Sequence, residues 1–323
     1  MAALPVHTEI PDGLATKTTL KKQGLVPRGD PVAIWRWYKH RGGDTGWQAT
    51  PLYRASAASP RSAQEREQAR ADRRAQDAAR VTRRAEIREH YDHELTRLRE
   101  EALAESQASF EKAVARFRTW ATSPDRVIID TETTGLHGVV IDLAVTRVDG
   151  TVLFDSPIRP TEPIEAGARR VHGLSDADVR DAPTWLDILP DLAPVLAGHR
   201  VIAFNAPFDM ACIRRTAEAA GGRGKAIADG QYWGCAMRNY APLTWDWDGE
   251  REQWRWPSLA YACTHAGVAR EPGVHRARGG ALALARLITQ VAEHPPAVPD
   301  TVPPGREPCW EDVGWTPETH PGW

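Results

Sequence analysis

The stretch VIIDTETTGLH, Val127 to His137, sets two carboxylates, Asp130 and Glu132, two residues apart behind a run of β-branched residues. Such a run, bounded by polar residues and by Gly135, is the pattern of a buried strand followed by a turn. Strand side chains alternate between faces, so Asp130 and Glu132 point the same way and Thr131 the opposite way. Two like charges at that separation repel and lose hydration, which is costly unless a cation neutralises them. The pair reads either as metal ligands or as the solvated end of a strand, where acidic residues are common.

Two further places carry polar groups beside apolar runs. HRVIAFNAPFDMACIRRTAEA predicts a short strand, Val201 to Phe204, then Asn205, Pro207 near the first helical position, and a helix with Asp209 in its opening turn. The helix dipole alone accommodates an acid there. In EPGVHRARGGALALARLITQVAEH, His275 precedes a helix whose buried stripe is Leu282, Leu284, Leu287, Ile288 and Val291. Taken singly, that histidine is a cap or a surface group as readily as a catalytic one.

The order of these pieces says more than any one of them. D-T-E-T-T-G-L, then V-H-G-L-S, then N-x-x-F-D, then H-R-A closely resembles the DEDDh family of 3′-to-5′ exonucleases, which includes the proofreading subunits of bacterial replicative polymerases and oligoribonuclease-like enzymes. The resemblance covers roughly residues 125–293. It implies an α/β, RNase H-like fold, a mixed five-stranded sheet flanked by helices, acting on the free 3′ end of DNA or RNA. It implies that Asp130, Glu132 and Asp209 bind two divalent cations, Mg²⁺ or Mn²⁺, metals suited to hard oxygen ligands. His275 would be the general base, a role that fits an imidazole with a free pKa of ~6.5. Thr131, Thr133, Leu136, His172, Asn205 and Phe208 match positions that grip the terminal nucleotide or support the motifs.

The match breaks in the last motif. The family runs H-x-A-x-x-D, whereas this chain reads His275-Arg276-Ala277-Arg278-Gly279-Gly280, with glycine where the fourth acidic ligand belongs. Phe204 also stands where many relatives have histidine. Water could fill the missing ligand position on Mg²⁺, and Glu271 or Asp229 are candidate substitutes. The chain reads as a metal-dependent 3′-to-5′ exonuclease; the alternative is a catalytically impaired exonuclease-fold protein that binds nucleic acid or serves as a scaffold.

Four segments are expected: a small basic, aromatic-rich module (1–60), a long charged helix (61–120), the exonuclease domain (121–294) and a Pro/Trp-rich disordered tail (295–323). In the module, TKTTLKKQGLVP predicts a short capped helix, and VAIWRWYKH and GWQATPLYR predict two strands. Trp35, Trp37, Tyr38, Trp47 and Tyr53, interleaved with Lys and Arg, are either the core of a very small domain or a stacking platform for single-stranded nucleic acid. Residues 61–118 contain no Gly or Pro, and the stripes Ile87, Tyr91, Leu95, Leu98, Ala102 and Leu103, Phe110, Val114, Phe117 fit either a coiled coil, which would pair two copies of the chain as a homodimer, or a helix packed on the next domain. The tail holds eight prolines and no periodicity.

Charge is unevenly spread. Residues 1–60 carry 8 basic and 4 acidic side chains, 61–118 carry 14 and 12, and 119–323 carry 19 and 27. An acidic domain repels a polyanion unless cations or a basic neighbour intervene. Four scattered cysteines without C-x-x-C spacing indicate neither a zinc ribbon nor a disulfide framework, and a reducing cytoplasm is the expected compartment. No signal-peptide pattern and no apolar run of ~20 residues is present, so neither secretion nor a membrane span is expected.

Overall fold

The computed structural model describes residues 4–39, 46–269 and 276–316. The chain divides into two compact units, residues 1–90 and 91–323. The boundary falls inside one helix, α1 (Ala63–Thr122), rather than at either expected helix end.

In the first unit, Thr16 caps the short helix Lys17–Lys22 by accepting a hydrogen bond from the Thr19 amide at 3.1 Å. The strands Ala33–Lys39 and Gly46–Arg54 pair antiparallel as the centre of a four-stranded sheet, with Val6–His7 and Leu14–Thr16 at its edges. Leu20, Leu52 and Ala33 form its small buried centre.

The second unit is built on a mixed five-stranded sheet: β1 (Arg126–Thr133), β2 (Val140–Arg147), β3 (Val152–Pro157), β4 (Arg200–Ala203) and β5 (Trp233–Cys235). The spatial order is β5-β4-β1-β2-β3; β4 and β5 run parallel to β1, whereas β2 and β3 return as antiparallel hairpin strands. Strand β1 is buried on both faces, which is why it reads as a continuous Val/Ile run. Val127 and Ile129 pack against α3 (Trp185–Leu196) and α4 (Ala206–Ala219). Ile128 faces the other layer, made by α5 (Leu259–His265), α6 (Ala277–Glu293) and the C-terminal part of α1.

That last contact corrects the expected domain limits. Phe110, Val114, Phe117 and Trp120 of α1 are buried in the same core cluster as Ile128, Ile202 and the apolar stripe of α6. Of the two readings of the apolar stripes, packing within the chain holds from Leu95 onward, whereas most of α1 before Ile87 is exposed. The proline-rich segment is also placed, against the expectation of disorder. The Gln107 side chain donates to the Pro299 carbonyl at 2.9 Å, and Trp245 Nε1 donates to the Thr301 carbonyl at 3.0 Å. Arg306 donates to Ser106 Oγ at 2.6 Å, forms an ion pair with Glu105 and lies over the Trp247 ring at 4.6 Å. Proline removes donors and periodicity, but carbonyls and apolar rings remain to be bonded by a neighbouring helix.

Removing residues 1–90 should leave a unit that still melts cooperatively. Removing residues 1–120 should not, because it strips Phe110, Phe117 and Trp120 from the core, and losing each such side chain costs about 3–5 kcal/mol against a total stability of about 5–15 kcal/mol. Thermal melts of the two truncated chains measure the difference; equal melting temperatures would show that α1 is dispensable to the core.

Candidate active site

The acidic residues gather at the end of β1. Period-two alternation turns Asp130 and Glu132 toward α6 and Thr131 toward α4, as the sequence pattern requires. Asp209 enters from the first turn of α4, where Pro207 starts the helix, and its carboxylate accepts a hydrogen bond from Thr131 Oγ1 at 2.8 Å. The pairing of β1 with β2 shifts register between Glu132 and Thr133, an irregularity of the kind that re-aims side chains beside active sites.

Burial is the dominant influence on all three carboxyls. It pushes Asp130 well above the usual carboxylate range, with further upward pressure from the charges of Asp209, Glu132 and Asp142. Glu132 is raised to about 7 by burial and by Asp142 and Asp209, with Arg276 opposing. Burial raises Asp209 as well, against the bond from Thr131. Negative charge here exceeds what the surrounding groups neutralise.

No group of three or more His, Cys, Asp or Glu side chains among the described residues is gathered tightly enough to form a metal site as it stands. The carboxylates feel one another's charge, and Asp209 also accepts the bond from Thr131. Even so, the donor set fits a hard divalent cation: oxygen ligands only, buried, and with uncompensated charge.

Two residues of the site escaped the sequence reading. Asp142 lies on β2 directly across from Glu132 and is fully buried. Arg276 grips it with both arms, Nε to Oδ2 at 2.7 Å and Nη2 to Oδ1 at 3.0 Å, and the Ala277 amide donates to Oδ2 at 3.0 Å. One carboxylate thereby holds the start of α6 against the sheet, since Arg276 is the residue that precedes this helix and Ala277 its first. The signal was present: a charge inside the apolar run VVIDLAV demands a buried partner.

Gly280 has a steric meaning. A Cβ built there would stand 2.2 Å from Asp130 Oδ2, so the Asp130 carboxylate packs directly on the helix where other residue types would carry a side chain. Asp229, a candidate substitute ligand, is instead engaged at the surface by Arg214, 2.9 Å from Nε and 2.6 Å from Nη2. Glu271 and His275 lie outside the described residues.

Five of the six expected nucleotide-gripping residues line one cavity of about 440 Å³: Thr131, Thr133, Leu136, His172 and Phe208, with Glu132 in its wall. Asn205 is absent from that lining and sits at the N-cap of α4, its carbonyl accepting from the Phe208 amide at 2.8 Å. His172 ends α2 (Ala166–His172), which closes on Gly173 in the left-handed conformation, φ 77°. The Leu174 amide donates to His172 Nδ1 at 3.1 Å, so the proton resides on Nε2, which donates to the Thr133 carbonyl at 3.2 Å. This histidine is a strut for the turn after β1. Leu136 is 76% exposed and Val171 61%, two apolar groups at the cavity rim.

A family model for exonucleases matches residues 127–287. An uncharacterized exonuclease of Escherichia phage 186 is 32% identical over 166 residues, which covers 50% of this chain and 84% of the phage protein. Exodeoxyribonuclease 10 of Escherichia coli is 35% identical over 85 residues, 25% of this chain and 37% of that protein. Among solved structures, exonuclease X in complex with 5′-overhanging duplex DNA is 24% identical, covering 56% of this chain and 99% of its own, with a TM-score of 0.39. The chain belongs to the exonuclease family.

Between the ordinary glutamate pKa of about 4.5 and about 7, the native site keeps a proton on Glu132 that the unfolded chain releases, so raising pH through that window favours unfolding. In EDTA the melting temperature should fall as pH rises from about 5 to about 7, Glu132→Gln should lessen that fall and leave the part due to Asp130 and Asp209, and Mg²⁺ should offset it at the upper end. Calorimetric melts across the window check this; a flat wild-type profile would remove the charge argument.

Proposed function

We propose that the domain is a catalytically competent exonuclease that removes nucleotides from the 3′ end of a DNA or RNA strand, with Asp130, Glu132 and Asp209 holding two divalent cations, Mg²⁺ or Mn²⁺. The observation that carries this reading is the cavity after β1. Its volume suits a terminal nucleoside, its rim is apolar, and Glu132 is among its lining residues. Bound there, the cations would screen the phosphate from the acidic domain and stabilise charge on its oxygens.

The chain's own residues divide the remaining work. The exposed Leu136 and half-buried Phe208 are placed to pack on the terminal base and sugar, and Thr131 and Thr133 border the same space. His172 keeps the turn that carries Leu136 in register through the Thr133 carbonyl. His275 is assigned as the general base by its place in the motif, immediately before Arg276. Arg276 is a positioning residue: its bidentate grip on Asp142 fixes the chain one residue after that base. Asn205 supports the turn into α4.

A homodimer through residues 61–118 would have to rely mainly on the first half of the helix, because Leu95, Phe110, Val114 and Phe117 are buried within their own chain. Cysteines that form no disulfide among the described residues suit a reducing compartment such as the cytoplasm. Among the described residues no helix is long and apolar enough to cross a membrane.

The decisive assay uses 5′-labelled single strands with Mg²⁺ or Mn²⁺. Wild type should produce a ladder shortening from the 3′ end. Asp130→Asn or Glu132→Gln should lower the rate by at least ~10²-fold, the equivalent of the several kcal/mol that metal stabilisation of the transition state supplies, while the fold is kept. Near-native cleavage by either variant, or labelled strands left intact by wild type, would sink the assignment.

Gly280 gives a separate test. Gly280→Ala forces the Asp130 carboxylate off the helix and should cut the rate about tenfold or more, although alanine is the better helix residue by about 1 kcal/mol. Gly280→Asp adds the same Cβ together with a carboxylate and should cleave faster than the alanine variant, at lower Mg²⁺. Full activity of Gly280→Ala would show that the close packing of Asp130 is immaterial.

A further inference from the structure

The five aromatics of the N-terminal unit do not behave as one group. Strand alternation divides them between the two faces of the sheet. Trp35 and Trp37 share one face, their rings stacked at 5.6 Å, with the Trp35 Nε1 donating to the Thr8 carbonyl at 3.2 Å and the Trp37 Nε1 to Thr50 Oγ1 at 2.9 Å. Half-buried rings with satisfied indoles are structural. The opposite face is different. There the register places Ile34 across from Pro51, Arg36 from Ala49 and Tyr38 from Trp47. Trp47 is 60% exposed and Tyr38 43%, and the two rings meet edge to face at 5.5 Å. The Arg36 guanidinium lies over the Trp47 ring, 5.4 Å from its centroid.

An indole left this open by a domain so short of apolar burial is not explained by folding, since a small core gains most from its largest side chains. These three cross-strand pairs carry one cation and no carboxylate, in a segment with 8 basic and 4 acidic residues, on the same chain as an acidic domain that acts on a polyanion. We propose that this face of the N-terminal sheet, centred on Trp47, Tyr38 and Arg36, binds single-stranded nucleic acid independently of the active site. An unpaired base would stack on the open part of the Trp47 ring. Tyr38 holds that ring at a fixed angle, and Arg36 supplies N–H donors and positive charge for the adjacent phosphate. A duplex, whose bases already stack on one another, would gain little from such a surface. The exonuclease reading enters only in the choice of ligand class.

The test is equilibrium binding by the full-length protein in EDTA, read by fluorescence anisotropy, so no turnover is involved and a failed active-site assignment would leave the result intact. The probes are a labelled oligothymidylate of about 20 nucleotides and a blunt duplex of about the same length. Trp47→Ala should weaken single-strand binding about tenfold and leave duplex binding nearly unchanged, while Trp47→Phe should stay close to wild type. Ala49→Glu removes no packing and places a carboxylate across from Arg36; it should weaken single-strand binding and flatten its salt dependence. Single-strand affinities of Trp47→Ala and Ala49→Glu equal to wild type would overturn the proposal. Equal losses on single strand and duplex would overturn it as well, reducing the face to a phosphate contact.

Discussion

Buried negative charge at the end of one strand is the constraint around which this domain is arranged. Asp130, Glu132 and Asp209 are drawn out of water by the sheet and by helices on both its faces, and burial alone moves each of them away from its ordinary ionisation. A fold whose stability is about 5–15 kcal/mol in total keeps such a group only where something returns the free energy. In this chain the return is partial within the protein itself: one hydroxyl for Asp209 and a distant guanidinium for Glu132. The charge left over is the physical ground on which cations are proposed for the site.

The fourth carboxylate, Asp142, shows the alternative solution. It lies across from Glu132 on the adjacent strand, yet Arg276 and the Ala277 amide satisfy it completely enough that it acts as an anchor. Removing one member of such a buried pair leaves an uncompensated charge, a far larger loss than the net worth of the pair. The anchor joins the sheet to the start of α6. That helix also presents Gly280 to Asp130, so the last motif shapes the charge cluster through backbone proximity although it supplies no acidic ligand.

The long helix illustrates how one element serves two chemical environments. Before Ile87 its large apolar residues are few, and mixed charges keep it solvated. From Leu95 on, Phe110, Val114, Phe117 and Trp120 enter the layer that also contains α6. The same 3.6-residue stripe is compatible with a partner chain or with the chain's own sheet, and periodicity carries no information about which one covers it.

Much of the site was legible in the residues alone. The alternation of DTET set which side chains of β1 face together, Pro207 and Asp209 marked the start of α4, and the motif order led to the mixed five-stranded sheet and to the exonuclease family. These are local patterns, dictated by backbone geometry over a few residues. What tertiary structure decided depends on contacts between distant positions. Arg276 meets Asp142 across 134 residues, and Thr131 meets Asp209 across 78. The tail is held by Gln107 across 192 residues, where composition alone suggested disorder. Gly280 reads in sequence as a lost ligand, and only the approach of β1 to α6 shows that its missing Cβ is the space an Asp130 oxygen occupies. Sequence patterns report which face a side chain takes; what that face meets is decided by packing, because burial and charge are properties of the assembled layers and not of any segment by itself.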